Sequence, residues 1–148
     1  MPRFCARAAA AILIAIVVFQ LALVAGAPWG AFTQGGQTAG TLPLTGRVAA
    51  LVSAVILVVM ALALLARADL GPWRNGRPRL MRVLAWLATA YAFLAVALNL
   101  ATRSAHERAV FGPLSIVLLV LILTLMITTR GMIDLRDRTA QPRSDKAE

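Results

Sequence analysis

The sequence predicts an all-α membrane protein, an up-down-up-down bundle of four transmembrane helices. Three observations predict it. Apolar residues make up 60% of the 148-residue chain and charged residues only 14%, with a mean hydropathy of +0.80. The apolar residues fall into four blocks of about 20, and at ~1.5 Å of rise per residue each block crosses a hydrocarbon layer of roughly 30 Å. Most of the 15 lysines and arginines stand between or beyond those blocks. The length suits one compact unit.

The first block runs over about 7–27. Arg3 and Arg7 precede it and Ala25-Gly26-Ala27 closes it, so a cleaved secretory signal is the competing reading. The stretch exceeds the roughly 7–15 residues of a signal's apolar core, and Pro28 would follow the scissile bond. Both features favour retention as a membrane helix. Residues 28–46 carry five glycines and no charge, which reads as an irregular loop. The second helix spans about 47–66, between Arg47 and Arg67.

The next connection is rich in turn residues (Gly71-Pro72, Asn75-Gly76, Pro78) and holds Arg67, Arg74, Arg77, Arg79 and Arg82 against Asp69 alone. The third helix spans about 80–101, with its pattern continuing into residues 102–110. The fourth spans about 112–129, with Pro113 in its first turn, where a missing N–H costs nothing. Residues 130–148 mix both signs of charge and read as a cytoplasmic tail, a short helical extension followed by disorder.

Charge sets the expected orientation. Twelve basic residues (Arg3, Arg7, Arg67, Arg74, Arg77, Arg79, Arg82, Arg130, Arg136, Arg138, Arg143 and Lys146) fall on one side, and Arg47, Arg103 and Arg108 on the other. Both termini are therefore expected in the cytoplasm, with loops 28–46 and 102–110 outside. Trp29, Trp73 and Trp86 lie near helix ends, where indole rings favour the headgroup zone. The net charge of +9 then points to anionic lipid headgroups at the inner face and not to nucleic acid. Heavy use of Ala and Arg beside one Lys fits a GC-rich bacterial genome, hence a bacterial inner membrane.

In the third helix Ala85, Ala88, Ala92, Ala95, Asn99, Thr102 and His106 recur at spacings of 3 and 4, a heptad-like seam. Small side chains let helix backbones approach closely in lipid, so this seam is read as the main packing surface. Asn99 and Gln20 are uncompensated amides, read as interhelical hydrogen-bonding groups, with the lining of a polar pathway as the alternative. Depth argues against a direct pair between them.

No ionisable residue occupies the middle of any block, which weighs against an ion-coupled transporter or proton relay. Ser53, Thr89, Thr124 and Thr128 could line an oligomeric pore, although such hydroxyls more often bond their own backbone. Cys5 stands alone, excluding an internal disulfide. Polar chemistry concentrates on the outer face, in Trp29, Arg47, Asn99, Arg103, Ser104, His106, Glu107 and Arg108. Asn99, Arg103 and Glu107 share one helix face if the third helix continues past the membrane.

Ser104 and His106, two apart on a helix, point away from each other and form no nucleophile–base pair. One His with one Glu gives no metal set. No catalytic residue, metal or cofactor is therefore assigned. The cluster reads as a polar clamp, with Glu107 paired to Arg103, Arg108 or Arg47 and tying the glycine loop to the last connection. Charge reversal at Arg47 would then partly rescue charge reversal at Glu107.

Trp29, Gly30, Gly35, Gly36, Gly40, Pro43, Arg47, Asn99, Arg103, Ser104, Glu107, Arg108 and Pro113 together resemble the pattern of a family of small, uncharacterised four-helix integral membrane proteins from bacteria. The resemblance covers about residues 8–128. It implies a four-helix membrane fold with a defined outer surface, and brings no activity. The leading expectation is a non-enzymatic component that binds a membrane-protein partner, a second copy or lipid through its outer loops or helix surface. A transporter or channel subunit, or an enzyme using the outer Arg/His/Glu cluster, is the alternative.

Overall fold

The computed structural model describes residues 1–71 and 79–140, with side chains described up to Arg130. The arginine-rich turn around Trp73 and the end of the tail, 141–148, lie outside the described residues, as do the side chains of Arg136 and Arg138. Among the described residues four α-helices form the fold: α1 (Pro2–Val24), α2 (Leu44–Arg67), α3 (Arg79–Ala101) and α4 (Ala105–Ala140). All four are long and apolar enough to cross a membrane, and they form an up-down-up-down bundle.

Helix–helix packing runs through small residues. On α2, Gly46, Ala50, Ala54, Leu57, Ala61 and Leu64 are buried at spacings of 4, 4, 3, 4 and 3. On α1, Ala6, Ala9, Ala10, Leu13 and Val17 form the matching stripe. These two stripes make α1–α2 the most extensive interface, ahead of α3–α4. The α3 seam is real but shorter than its spacing predicts. Ala85, Ala88 and Ala92 are buried, whereas Ala95 is only half-buried. Small side chains let helix backbones approach closely in lipid, and Ala50 of α2 packs in one cluster with Leu23 of α1.

Three helix starts differ from the sequence expectation, and the first is that of α2, which begins at Leu44 and not near Arg47, so residues 44–46 are helix and not loop. α1 begins at Pro2 and ends at Val24, three residues earlier than the apolar block. α4 begins at Ala105, not near Gly112, so Pro113 falls inside the helix. There the proline cannot donate to the carbonyl four residues back. The earlier start comes from Ser104, whose hydroxyl accepts the Glu107 N–H at 3.2 Å and caps the helix.

That break also ends α3. Ala101 is its last residue, so Asn99, Arg103 and Glu107 do not share one helix face, and the seam does not reach His106. The chain reverses over Thr102–Ser104. This reversal and the glycine loop lie at the same end of the bundle.

Candidate functional site

After α1 the chain passes through Gly26 into two short 3-10 turns, Gly30–Phe32 and Gln34–Gly36. Three contacts pin this loop to the helices. The Gly30 N–H donates to the Gly40 carbonyl at 2.9 Å, closing the loop on itself. Gln34 Nε2 donates to the Gly46 carbonyl at 2.9 Å, attaching it to the start of α2. Ser104 Oγ donates to the Ala31 carbonyl at 2.7 Å, attaching it to the α3–α4 reversal. Gly36 lies so close to that reversal that a Cβ there would sit 2.7 Å from Ser104 Cβ, and its φ of +69° suits glycine.

Glu107 completes the attachment. Its Oε2 accepts the Gly35 N–H at 2.9 Å and the Thr102 hydroxyl at 2.8 Å. Ser104 and Glu107 have the spacing of a capping box, in which the acid normally reaches back to the N-cap N–H. Here the Ser104 N–H donates to Thr102 Oγ1 at 3.3 Å instead, freeing the Glu107 carboxylate to hold the glycine loop.

The clamp is therefore built from an amide and a hydroxyl, and not from an arginine. Among the described residues Glu107 forms no ion pair. Arg47 turns away, its Nε donating to the Leu42 carbonyl at 3.0 Å while its guanidinium lies against Gly26. Arg108 Nη1 donates to the Thr102 carbonyl at 3.2 Å on the exposed surface, and Arg103 is exposed. The competition is decided by position: the Gly35 N–H has no partner within its own turn, and a carboxylate is a strong acceptor for it.

Aromatic rings fill the space beneath the loop. Trp29 stacks on Phe19 with centroids 6.0 Å apart, and Phe19 meets Phe111 at 5.2 Å. His106 packs edge-on against Phe32 at 5.4 Å. His106 is thus a neighbour of the loop, and the Ser104 hydroxyl is committed to Ala31; the two form no catalytic pair.

Below these rings lies a cavity of about 190 Å³ between α1, α3 and α4. Phe19, Phe32 and Phe111 line its sides, and Gln20, Thr33, Tyr91, Asn99, Glu107 and Ser115 supply polar groups. Ser115 is satisfied within α4, donating to the Gly112 carbonyl at 2.8 Å. Gln20 and Asn99 have no hydrogen-bond partner among the described residues. At roughly 30 Å³ per water the cavity holds about six waters, enough to solvate both amides. Both amides are half-buried, and a polar ligand group could replace those waters while keeping them hydrogen-bonded.

Gln20 and Asn99 therefore share a cavity although they form no direct pair. Their depths are nonetheless closer than the apolar blocks suggest, because α1 ends at Val24. Gln20 lies four residues inside that end, about 6 Å, and Asn99 two residues inside the end of α3, about 3 Å. Of the sequence-selected cluster, Asn99 and Glu107 line the cavity, and Ser104 and Glu107 hold its cover. Trp29 and His106 pack beside it, and Arg47 braces the loop. Arg103 and Arg108 stay at the surface.

The sequence pattern singles out Gly35 only as part of the glycine loop, not as a partner of Glu107, and does not single out Ala31 or Tyr91. The Ser104–Glu107 spacing was the available signal for the cap. Tyr91, one polar ring in an apolar helix, carried none. Among the described residues no three His, Cys, Asp or Glu side chains come together in a way that could hold a metal. No family model matches the chain, and no curated protein or solved structure matches it.

Proposed function

We propose that this chain is a non-enzymatic membrane component whose cavity binds the polar group of a small molecule or lipid beneath the glycine loop. The observation that carries the reading is the pair of amides, Gln20 and Asn99, facing one cavity with no protein partner among the described residues. Glu107 faces the same space while its other carboxylate oxygen holds the loop.

The competing classes have less support. Thr89, Thr124 and Thr128 donate to carbonyls of their own helices at 2.9, 2.8 and 2.7 Å, which removes them as free pore hydroxyls. The one hydroxyl of the outer cluster, Ser104, donates to the Ala31 carbonyl and to no base, so it is not set up as a nucleophile. A bacterial inner membrane, cytoplasmic termini and anionic lipid at the inner face belong to the same proposal. They rest on the arginine bias and on the resemblance to small bacterial four-helix proteins.

The test is mass spectrometry of what co-purifies with the full chain in mild detergent. Wild-type protein is expected to carry a bound small molecule or lipid that Asn99→Ala and Gln20→Ala each deplete. Equal retention by both variants would reject the cavity as the binding site.

A further inference from the structure

The cavity has a neighbour. Tyr91 lines it and also lines a groove of about 290 Å³ between α2 and α3. The remaining walls of the groove are aliphatic or thioether side chains, among them Val55, Ile56 and Val59 on α2 and Leu84 and Leu87 on α3. Tyr91 is its one polar residue. Val55, Val59 and Leu87 are exposed, so the groove opens sideways, within the segments that span the membrane.

The two spaces follow each other along α3. Asn99 to Tyr91 covers eight residues, about 12 Å, and Tyr91 to Leu84 seven more, about 10 Å. The first mixes polar groups with apolar walls, its amides and carboxylate gathered at the Asn99 end, and the second is almost wholly apolar. We infer that together they hold one molecule, a single-chain amphiphile with an uncharged, hydrogen-bond-donating head in the cavity and its acyl chain in the groove. This rests on the cavity being a binding site, as proposed above, and names the class of ligand.

Three arguments select that occupant. A groove open to the hydrocarbon layer meets acyl chains before anything else. A partner helix would pack along its full length and favour small residues, whereas this groove is about 10 Å long and walled by Val, Ile and Leu. At the polar end, Glu107 Oε1 accepts no hydrogen bond among the described residues, and the amide oxygens of Gln20 and Asn99 are likewise open. Hydroxyl or amine donors satisfy all three, whereas an anionic head would face the Glu107 carboxylate.

The experiment titrates the full chain in detergent with monopalmitoylglycerol, with monobutyrylglycerol, and with palmitate. Monobutyrylglycerol has the same head on a chain too short to reach the groove, and palmitate has the same long chain on an anionic head. Monopalmitoylglycerol is expected to bind at least tenfold tighter than either. Leu87→Trp and Val59→Trp, which fill the groove, are expected to weaken monopalmitoylglycerol tenfold or more while leaving monobutyrylglycerol unchanged. Asn99→Ala weakens both.

Wild-type affinity in both groove variants would overturn the groove assignment, and palmitate binding as tightly would overturn the head assignment. A dimer lost on Leu87→Trp with lipid binding intact would assign the groove to a second copy. Failure of Asn99→Ala to weaken any ligand would instead reject the cavity itself.

Discussion

Replacing Glu107 by alanine separates the observed tie from an arginine ion pair. The side chain holds the Gly35 N–H at 2.9 Å and the Thr102 hydroxyl at 2.8 Å through a single oxygen. A hydrogen bond to a charged group contributes about 1.5–3 kcal/mol, and both donors here are only part-buried. Water replaces some of the lost acceptor, so the combined loss is about 2–3 kcal/mol. The loss falls on loop opening, because the helix interfaces below do not include this residue.

At ~1.4 kcal/mol per factor of ten, the Gly35 amide is expected to exchange with deuterium roughly thirtyfold to a hundredfold faster. Hydrogen-exchange mass spectrometry on the peptide covering residues 30–40 reads it. Thr102→Val should couple with Glu107→Ala by about 1 kcal/mol, since the two side chains share a bond. Arg47→Ala should be additive with it to within about 0.5 kcal/mol, because Arg47 bonds Leu42 instead. Unchanged exchange in Glu107→Ala, or coupling to Arg47 as large as to Thr102, would refute the clamp as drawn.

Further substitutions probe the packing. Gly36→Ala places a Cβ 2.7 Å from Ser104 Cβ at a positive φ and should cost about 1–3 kcal/mol, lowering the melting temperature in detergent. Gly40→Ala, with nothing within 4 Å of its Cβ position, should leave that temperature unchanged. Ala92→Leu overpacks a position 1% exposed and should destabilise by about 1–3 kcal/mol in the same assay. Ala95→Leu points into the cavity and should be tolerated, at the expense of ligand binding. At the opposite end, Arg130 lies 4.6 Å over the Trp86 ring, and Arg130→Ala should cost about 0.5–1 kcal/mol, a small fall in melting temperature that Trp86→Leu abolishes.

The fold was readable because lipid dictates element length: a segment must stay apolar for about 20 residues to cross, and four segments do. The ends of those segments were less readable, because capping is local chemistry that hydropathy does not register. Ser104 and Glu107 stop one helix and start the next inside a polar stretch that could equally have continued α3. Misplacing that break put Asn99, Arg103 and Glu107 on a common face they do not have. It also paired Glu107 with arginines, since a charge count sees side chains and not the Gly35 amide. Similarly, the alanines of α3 stood out by their unbroken spacing, while the equally small stripe of α2 was interrupted by Leu57 and went unread. Its importance follows from where Ala50 and Ala54 pack, in clusters with Leu23 and the α1 alanines, which only the packed structure gives.

Glu107 joins the loop to the cavity, and that junction makes a thermodynamic demand. Phe32 and Thr33 line the cavity from above, in the loop that Glu107 and Ser104 hold down. A ligand that binds only under the closed loop stabilises the closed loop, and by linkage whatever opens the loop weakens the ligand by the factor by which the closed population falls. Saturating monopalmitoylglycerol should therefore slow deuterium exchange across residues 30–36. Asn99→Ala should abolish that protection while leaving exchange in the ligand-free protein unaltered, since Asn99 touches the cavity but makes no bond to the loop. Glu107→Ala should show the reverse order, with fast exchange before any ligand is added and an affinity reduced in proportion. If ligand binds without slowing exchange at Gly35, the loop is a bystander to the cavity and the two act independently.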